Sequence, residues 1–142
     1  MQVSQLQIEE FLQREFPQSL EQCQIEEVVD RGATLRYRIS ADHLRPGGTV
    51  SGPTMMTLAD FALYVAILGE IGLIGLAVTT NMNINFLRKP SGGQDLLGKC
   101  QLMNVGKTLV VGEVWIYSAD STEPVAHVVG SYSIPPQKTV LH

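Results

Sequence analysis

The sequence predicts an α+β fold in which a curved antiparallel sheet wraps around one long central helix, with a short helix at the N-terminus. Two observations carry this prediction. Residues 54–68 form a helical segment that is apolar on nearly every side, with Asp60 as its single charged residue. The segments that follow alternate apolar and polar residues, a pattern typical of strands. Because a helix without a polar face must be enclosed by its own chain, we expect the sheet to enclose it.

The first element is a short amphipathic helix. Ser4 and Gln7 have the spacing of a capping box, and the apolar residues at positions 8, 11 and 12 share one helical face. The Phe16-Pro17 step is expected to end this helix, because a residue before proline avoids helical backbone angles.

The remaining elements follow from alternation and from chain breakers. Extended structure begins at residue 25 and is expected to turn back at Arg31-Gly32, which predicts a hairpin. Residues 44–53 are rich in Gly and Pro and are predicted to be a loop before helix 54–68. Three or four antiparallel strands are then predicted, from segments 78–86, 95–104, 108–118 and 124–134.

Length and charge exclude several classes of protein. The 142 residues fit a single domain, 1–142, with an N-terminal helical segment at 1–24 and a core at 25–134. Ten Lys and Arg against 14 Asp and Glu argue against a nucleic-acid binder. A helix of about 15 residues would cover only about 22 Å, short of a bilayer of roughly 30 Å, so no membrane partner is expected.

The cysteines and the N-terminus indicate a cytoplasmic location. Cys23 and Cys100 show no zinc-ligand spacing, so no metal site is expected. One long-range disulfide fits the count of two, but two unpaired buried thiols in a reducing cytoplasm are favoured. The polar N-terminus lacks the apolar run of a signal peptide.

Asp60 is the first candidate for chemistry. Desolvating a carboxylate on an apolar helix costs several kcal/mol unless it is hydrogen-bonded or lines a wet cleft. The same pattern fits a structural acid that is hydrogen-bonded to the backbone or to Tyr64. A functional and a structural role for Asp60 both stay open at this point.

Three other features could bind a ligand. Gly52 ends a Gly-rich loop at a helix start, where free N–H groups can polarise an oxygen, although such loops are common. Thr79 and Asn81 belong to a polar strand face that fits a cleft, an interface or plain solvent exposure. Arg88-Lys89 could contact a phosphate or simply be a solvated strand end.

Two stretches carry a resemblance to a known family. Gly48–Pro53 followed by Thr57–Asp60 resembles the G-x-V-H-G-G … T-L-x-D signature of hotdog-fold acyl-CoA thioesterases of the phenylacetate-degradation type. Val78–Pro90 is similar to the strand after the central helix in that family, and Gly106–Thr108 is similar to the hairpin that follows.

The resemblance implies a site and an assembly. It implies the hotdog fold, pairing of two subunits as a homodimer or as a dimer of dimers (a homotetramer), and hydrolysis of a small acyl- or aryl-acyl-CoA. Coenzyme A then enters as part of the substrate, and no separate cofactor is expected. Asp60 would be the general base or nucleophile, Gly52 the carbonyl-polarising amide, and Thr79 a hydroxyl from the facing subunit. Five residues are expected to contact the substrate: Arg45, Ser51, Asn81, Arg88 and Lys89.

The sequence departs from the family signature at the oxyanion side of this site. Ser51 stands where the family has His, Arg45 stands about where it often has Asn, and Pro53 replaces the second Gly. These departures favour an alternative, a hotdog domain that binds an acyl ligand without hydrolysing it, whereas Asp60 favours hydrolysis. A hotdog dehydratase ranks last, because residues 51–60 contain no His.

Overall fold

A six-stranded antiparallel sheet and a 20-residue helix make up most of the computed structural model, which describes residues 2–75, 77–90 and 92–136. The helices are α1 (Gln5–Glu15), α2 (Ser19–Gln22) and α3 (Gly52–Ile71), with a 3₁₀ turn at Ala41–His43. The strands are β1 (Cys23–Val29), β2 (Gly32–Tyr37), β3 (Val78–Phe86), β4 (Leu96–Val105), β5 (Leu109–Ser118) and β6 (Pro124–Ser133). Every element predicted from the sequence is present.

The sheet has the strand order β1-β2-β4-β5-β6-β3, with every neighbouring pair antiparallel. Helix α3 packs against all six strands, so the sheet wraps around it as predicted. The first hairpin turns next to Arg31, and β3 lies at one edge of the sheet, paired only with β6 among the described strands. The α+β hotdog architecture is therefore confirmed.

Glycines on the inner face of the sheet allow α3 to approach closely. Gly98, Gly112 and Gly130 lie on three adjacent interior strands, β4, β5 and β6. A Cβ on Gly98 would stand 3.1 Å from Leu58, and one on Gly130 would stand 2.6 Å from Leu63. Both leucines are buried and point from the helix onto these strands. Larger residues at the glycine positions would push the helix away from the sheet.

The central helix is longer than the predicted 54–68 at both ends. It begins at Gly52 because Ser51 caps it and because a proline at position 53 is tolerated within the first helical turn. It ends at Gly72, whose φ of 134° suits glycine.

The extra length removes one argument made from the sequence. At about 1.5 Å per residue, 20 residues span about 30 Å, so the length argument against a membrane span was wrong. Among the described residues, α3 is one helix long and apolar enough to cross a membrane, and 67% of its apolar window is buried inside the fold. Enclosure by the sheet accounts for its composition.

The N-terminal helix and the cysteines follow their predictions. Ser4 and Gln7 form the capping box, and the residues at 8, 11 and 12 are buried. Both cysteines are free and buried. The predicted single-domain range, 1–142, includes residues 1 and 137–142, which lie outside the described residues.

Candidate active site

The Asp60 carboxylate lies in the middle of α3 and is held through one of its two oxygens. Oδ1 accepts hydrogen bonds from Thr79 Oγ1 at 2.5 Å and from the Tyr132 hydroxyl at 2.7 Å. The same hydroxyl also lies 3.0 Å from the main-chain oxygen of Asp60. No donor from the described residues reaches Oδ2. The carboxylate is thus fixed in orientation, with one oxygen available to a water molecule or a substrate.

The register of the sheet brings Thr79 and Tyr132 to the same carboxylate. The two residues are direct partners across β3 and β6, so their side chains share the face that packs on α3. Thr79 therefore meets Asp60 of its own chain. The expectation that Thr79 reaches Asp60 from a facing subunit was wrong, because strand alternation alone does not show which copy of the helix a strand residue meets.

A bulge in β3 separates Thr79 from the asparagine run. The pairing jumps from Thr79–Tyr132 to Asn81–Ser131, so Thr80 is the extra residue and the alternation changes face there. Asn81 consequently points to the outer face of the sheet with Asn83 and Asn85, away from Asp60. Its expected contact with the substrate at the same site as Thr79 is not supported by this placement.

Tyr132 is a residue that the sequence analysis missed. It is buried, and burial followed by the nearby Asp60 charge raises the pKa of its hydroxyl far above the ordinary value. The hydroxyl therefore stays protonated and remains a hydrogen-bond donor throughout the physiological pH range. Its sequence signal is a phenol at the end of an otherwise apolar inward-facing row on β6. Tyr64, the expected structural partner of Asp60, instead donates to the Ile74 carbonyl at 3.3 Å.

A cavity of about 650 Å³ opens beside these groups. Asp60, Thr79 and Tyr132 line it together with residues from α3 and from the N-terminal segment. Two hydroxyl donors and a carboxylate, in a wall that also contains several aromatic rings, are features of a small-molecule site.

A second cavity of about 500 Å³ lies at the N-terminal end of α3. It brings together Arg45, Gly52, Arg88 and Lys89, residues from two segments that are distant in sequence. The Phe86 ring lies over Gly52, and its Cζ is 3.2 Å from where a Cβ would stand. The N-terminal end of a helix and three cations make this cavity suited to an anion.

The cations of this second cavity differ in availability. Arg88 donates to the Pro124 carbonyl and lies 3.6 Å from the Glu123 carboxylate. Within the described part of the chain, the side chains of Arg45 and Lys89 make no hydrogen bond or ion pair. Arg45 and Lys89 are therefore the cations most available to a phosphate.

Ser51 has a structural role at this end of the helix. Its Oγ accepts from the Thr54 N–H at 3.3 Å and pairs with the Thr54 hydroxyl at 2.8 Å, so it is the N-cap of α3. It is not among the residues that line either cavity. Ser51 Oγ, which was expected to contact the substrate, instead caps α3.

Comparison with known proteins places this geometry in a family. Residues 47–125, more than half of the chain, match the sequence profile of the thioesterase superfamily. The chain belongs to the thioesterase superfamily. The predicted resemblance is thereby confirmed, and the enzyme class is thioester hydrolase. The matched range contains Gly52, Asp60 and Thr79, whereas Tyr132 and the N-terminal helix lie outside it.

Solved structures of related proteins agree with this family assignment. A candidate thioesterase from Silicibacter sp. TM1040 is 41% identical, with 94% of this chain and 92% of that one covered and a TM-score of 0.86. Two further structures share the fold at lower identity. They are Escherichia coli PaaI, from the phenylacetic acid degradation operon (21% identical, 92% of each chain, TM-score 0.80), and a hypothetical thioesterase from Streptococcus pneumoniae with coenzyme A (20%, 93% and 99%, TM-score 0.77). A search of curated proteins gave no match.

A metal site is not indicated by the described residues of this superfamily member. In residues 2–75, 77–90 and 92–136 no group of three or more His, Cys, Asp and Glu is arranged to hold a metal ion.

Proposed function

We propose that this protein hydrolyses acyl-CoA thioesters at Asp60, in a site completed by the α3 N-terminus of a second copy. The observation that carries the proposal is the Asp60 carboxylate, which lines a cavity and whose Oδ1 is held by two hydroxyl donors while no donor from the described residues reaches Oδ2. In a thioesterase-superfamily chain, such a carboxylate is suited to act on water or on the thioester itself.

Asp60 can act in two ways, and both use Oδ2. As a general base it takes a proton from water while the water oxygen attacks the thioester carbonyl, and the C–S bond then breaks to release coenzyme A and a carboxylic acid. As a nucleophile it forms a mixed anhydride with release of coenzyme A, and water then hydrolyses the anhydride. A single turnover in ¹⁸O-labelled water identifies the nucleophilic route when water attacks the Asp60 carbonyl of the anhydride, because the label then stays on Asp60 and the first product carries an unlabelled oxygen from Asp60.

The negative charge that develops on the thioester oxygen needs a donor, and Gly52 provides one. Its N–H belongs to the first turn of α3, where backbone N–H groups lack helical partners and the helix dipole is positive. A backbone N–H aimed at a developing oxyanion typically contributes 10²–10³-fold to a rate.

The spacing of Gly52 and Asp60 requires two copies of the chain. They are eight residues apart on one helix, a rise of about 12 Å, whereas both groups must lie about 3 Å from the same reacting centre. The Gly52 that serves a given Asp60 must therefore come from another copy. This arrangement replaces the expected sharing of Thr79 across the interface.

The edge strand β3 provides a surface for such pairing. One side of it carries no partner strand among the described residues, and Val78, Phe86 and Leu87 are exposed along it. An unprotected edge strand of nine residues with apolar side chains favours association with a second sheet. Two-fold pairing would then create two equivalent sites per dimer.

The second cavity, called the cationic cavity because Arg45, Arg88 and Lys89 line it, is suited to coenzyme A. Arg45 and Lys89 can meet its phosphates beside the same helix N-terminus that holds the thioester oxygen. One similar fold, from Streptococcus pneumoniae, is described with coenzyme A. A dimer of dimers and a cytoplasmic location stay predictions.

A thiol-release assay on a panel of acyl-CoAs tests the proposal. Wild-type protein should release coenzyme A, and Asp60→Asn should fold normally but lose about 100-fold or more in kcat. Tight binding with no thiol release from any member would instead support the alternative, a hotdog domain that binds acyl ligands without hydrolysis.

A further inference from the structure

The N-terminal segment supplies a wall of the cavity that contains Asp60. Residues at the end of α1, in α2 and at the start of β1 line this cavity: Glu15, Phe16, Gln18, Ser19, Gln22 and Cys23. These residues precede the range 47–125 that matches the thioesterase superfamily. The wall thus comes from a part of the chain that lies outside the family match. Substitutions in this part can change the substrate preference while Asp60 stays the same.

The backbone around Phe16 is held firmly in this wall. Helix α1 is anchored to α3 where the Gln2 and Val3 N–H groups donate to the Gly69 carbonyl at 2.7 and 3.1 Å. The turn after α1 closes through the Ser19 hydroxyl and N–H, which donate to the Phe16 carbonyl at 2.7 and 3.1 Å. The main chain at Phe16 therefore occupies a defined position, from which the ring, 39% exposed, lines the cavity.

Phe16 contacts the part of α3 that carries the catalytic carboxylate. Its ring meets Phe61 edge to face, with centroids 6.3 Å apart and planes at 90°. Phe61 is buried and directly follows Asp60 in sequence. A group attached to a thioester at Asp60 that extends into this cavity consequently encounters this aromatic pair.

The charge of the cavity limits which acyl groups suit it. Glu15 and Asp60 are its two carboxylates, and none of the described lining residues is Lys, Arg or His. A free carboxylate at the end of an acyl group would lose hydration without gaining a cationic partner. Neutral apolar groups have no such cost and can pack against the aromatic rings.

We propose that Phe16 is a specificity-determining residue, and that the cavity takes a neutral, apolar acyl group whose length is limited by the Phe16 ring. The inference rests on the proposed function, because it assumes that the acyl part of the thioester enters the cavity beside Asp60. Removing the ring opens space next to Phe61, and a larger ring fills it.

Binding of S-alkyl-CoA thioethers of graded length tests the proposal without requiring catalysis. Calorimetry on wild-type protein should show tightest binding at one alkyl length. Phe16→Ala should move this optimum to longer chains and change the long-to-short affinity ratio about tenfold, and Phe16→Trp should move it to shorter chains. Leu6→Ala is the matched control, because Leu6 is 64% exposed on the same helix and lines neither of the two cavities described above.

The outcomes separate this inference from the proposed function. An unchanged optimum in both Phe16 variants, or no length preference in the wild type, overturns the role of Phe16. Carboxyalkyl thioethers that bind as tightly as neutral ones of equal length overturn the preference for neutral groups. Length-dependent binding that shifts with Phe16, together with no thiol release from acyl-CoAs, supports this inference and overturns hydrolysis.

Discussion

Replacing Tyr132 by Phe removes one hydroxyl from the site and leaves its aromatic ring in place. In the structure that hydroxyl donates to Asp60 Oδ1 at 2.7 Å and also lies 3.0 Å from the Asp60 main-chain oxygen. Because this hydroxyl is one of the two donors that fix the orientation of the carboxylate, its loss should leave Oδ1 held by Thr79 alone and Asp60 less well positioned. The value of kcat should therefore fall.

The size of the fall follows from the strength of the lost hydrogen bond. A hydrogen bond to a charged group contributes about 1.5–3 kcal/mol, and a tenfold change in rate corresponds to about 1.4 kcal/mol, so the full loss gives about 10- to 150-fold. The Tyr132 proton is shared between two acceptors, and Thr79 still donates to Oδ1. We therefore expect a fall in kcat near the lower end, about tenfold.

Thiol release measured at saturating acyl-CoA reports the fall in kcat, and Tyr64→Phe is the matched control. The Tyr64 ring stacks on Tyr132 at 6.3 Å, but its hydroxyl donates to the Ile74 carbonyl and not to Asp60. Tyr64→Phe should leave kcat nearly unchanged. An unchanged kcat in Tyr132→Phe, or an equal fall in both variants, would refute the positioning role of Tyr132.

Three further predictions concern the helix start, the cationic cavity and the buried thiols. Gly52→Pro removes the N–H at a position where helices accept proline, and Gly52→Ala is its control because both variants add a Cβ close to the Phe86 ring. Gly52→Pro should therefore lower kcat about 10²–10³-fold relative to Gly52→Ala, which keeps the N–H. Replacing Arg45 and Lys89 by Ala should raise KM with little change in kcat, and the rise should be larger at low salt. A rise in KM that is no larger at low salt would contradict a contact between these two residues and the phosphates. Burial raises the pKa of Cys23 and Cys100 from 9.0 to about 12, so unfolded chains ionise first and the urea midpoint should fall as pH rises from about 9 towards 12. That fall should be shallower when both cysteines are replaced by Ala.

Local signals in the sequence predicted most of the fold. The Ser4–Gln7 capping box, the strand alternation and the apolar central helix each depend on residues close together in the chain, and each element is present. The bounds of α3 were wrong because Gly52 and Pro53 indicate a loop by composition, although proline fits the first turn of a helix and Ser51 caps it.

The candidate site depends on features that local patterns do not contain. The bulge at Thr80 turns Asn81 away from the face that holds Thr79. The alternation of residues in the sequence does not reveal this bulge, so it places Thr79 and Asn81 on the same face. Tyr132 lies 72 residues from Asp60, and only the β3–β6 register brings its hydroxyl to the carboxylate. Asp60 itself was identified because an acid on an apolar helix stands out without any knowledge of pairing.

Complementation between two inactive variants tests the composite site most directly. Asp60→Asn and Gly52→Pro damage opposite halves of each site, so exchanging subunits should restore one intact site of two in every heterodimer. A statistical mixture, half of it heterodimer, should then recover about a quarter of wild-type activity. A mixture of Asp60→Asn with Thr79→Val, which damages the same half twice, should show no rescue. If the first mixture stays as inactive as its parents after verified subunit exchange, Gly52 and Asp60 do not act across two copies of the chain.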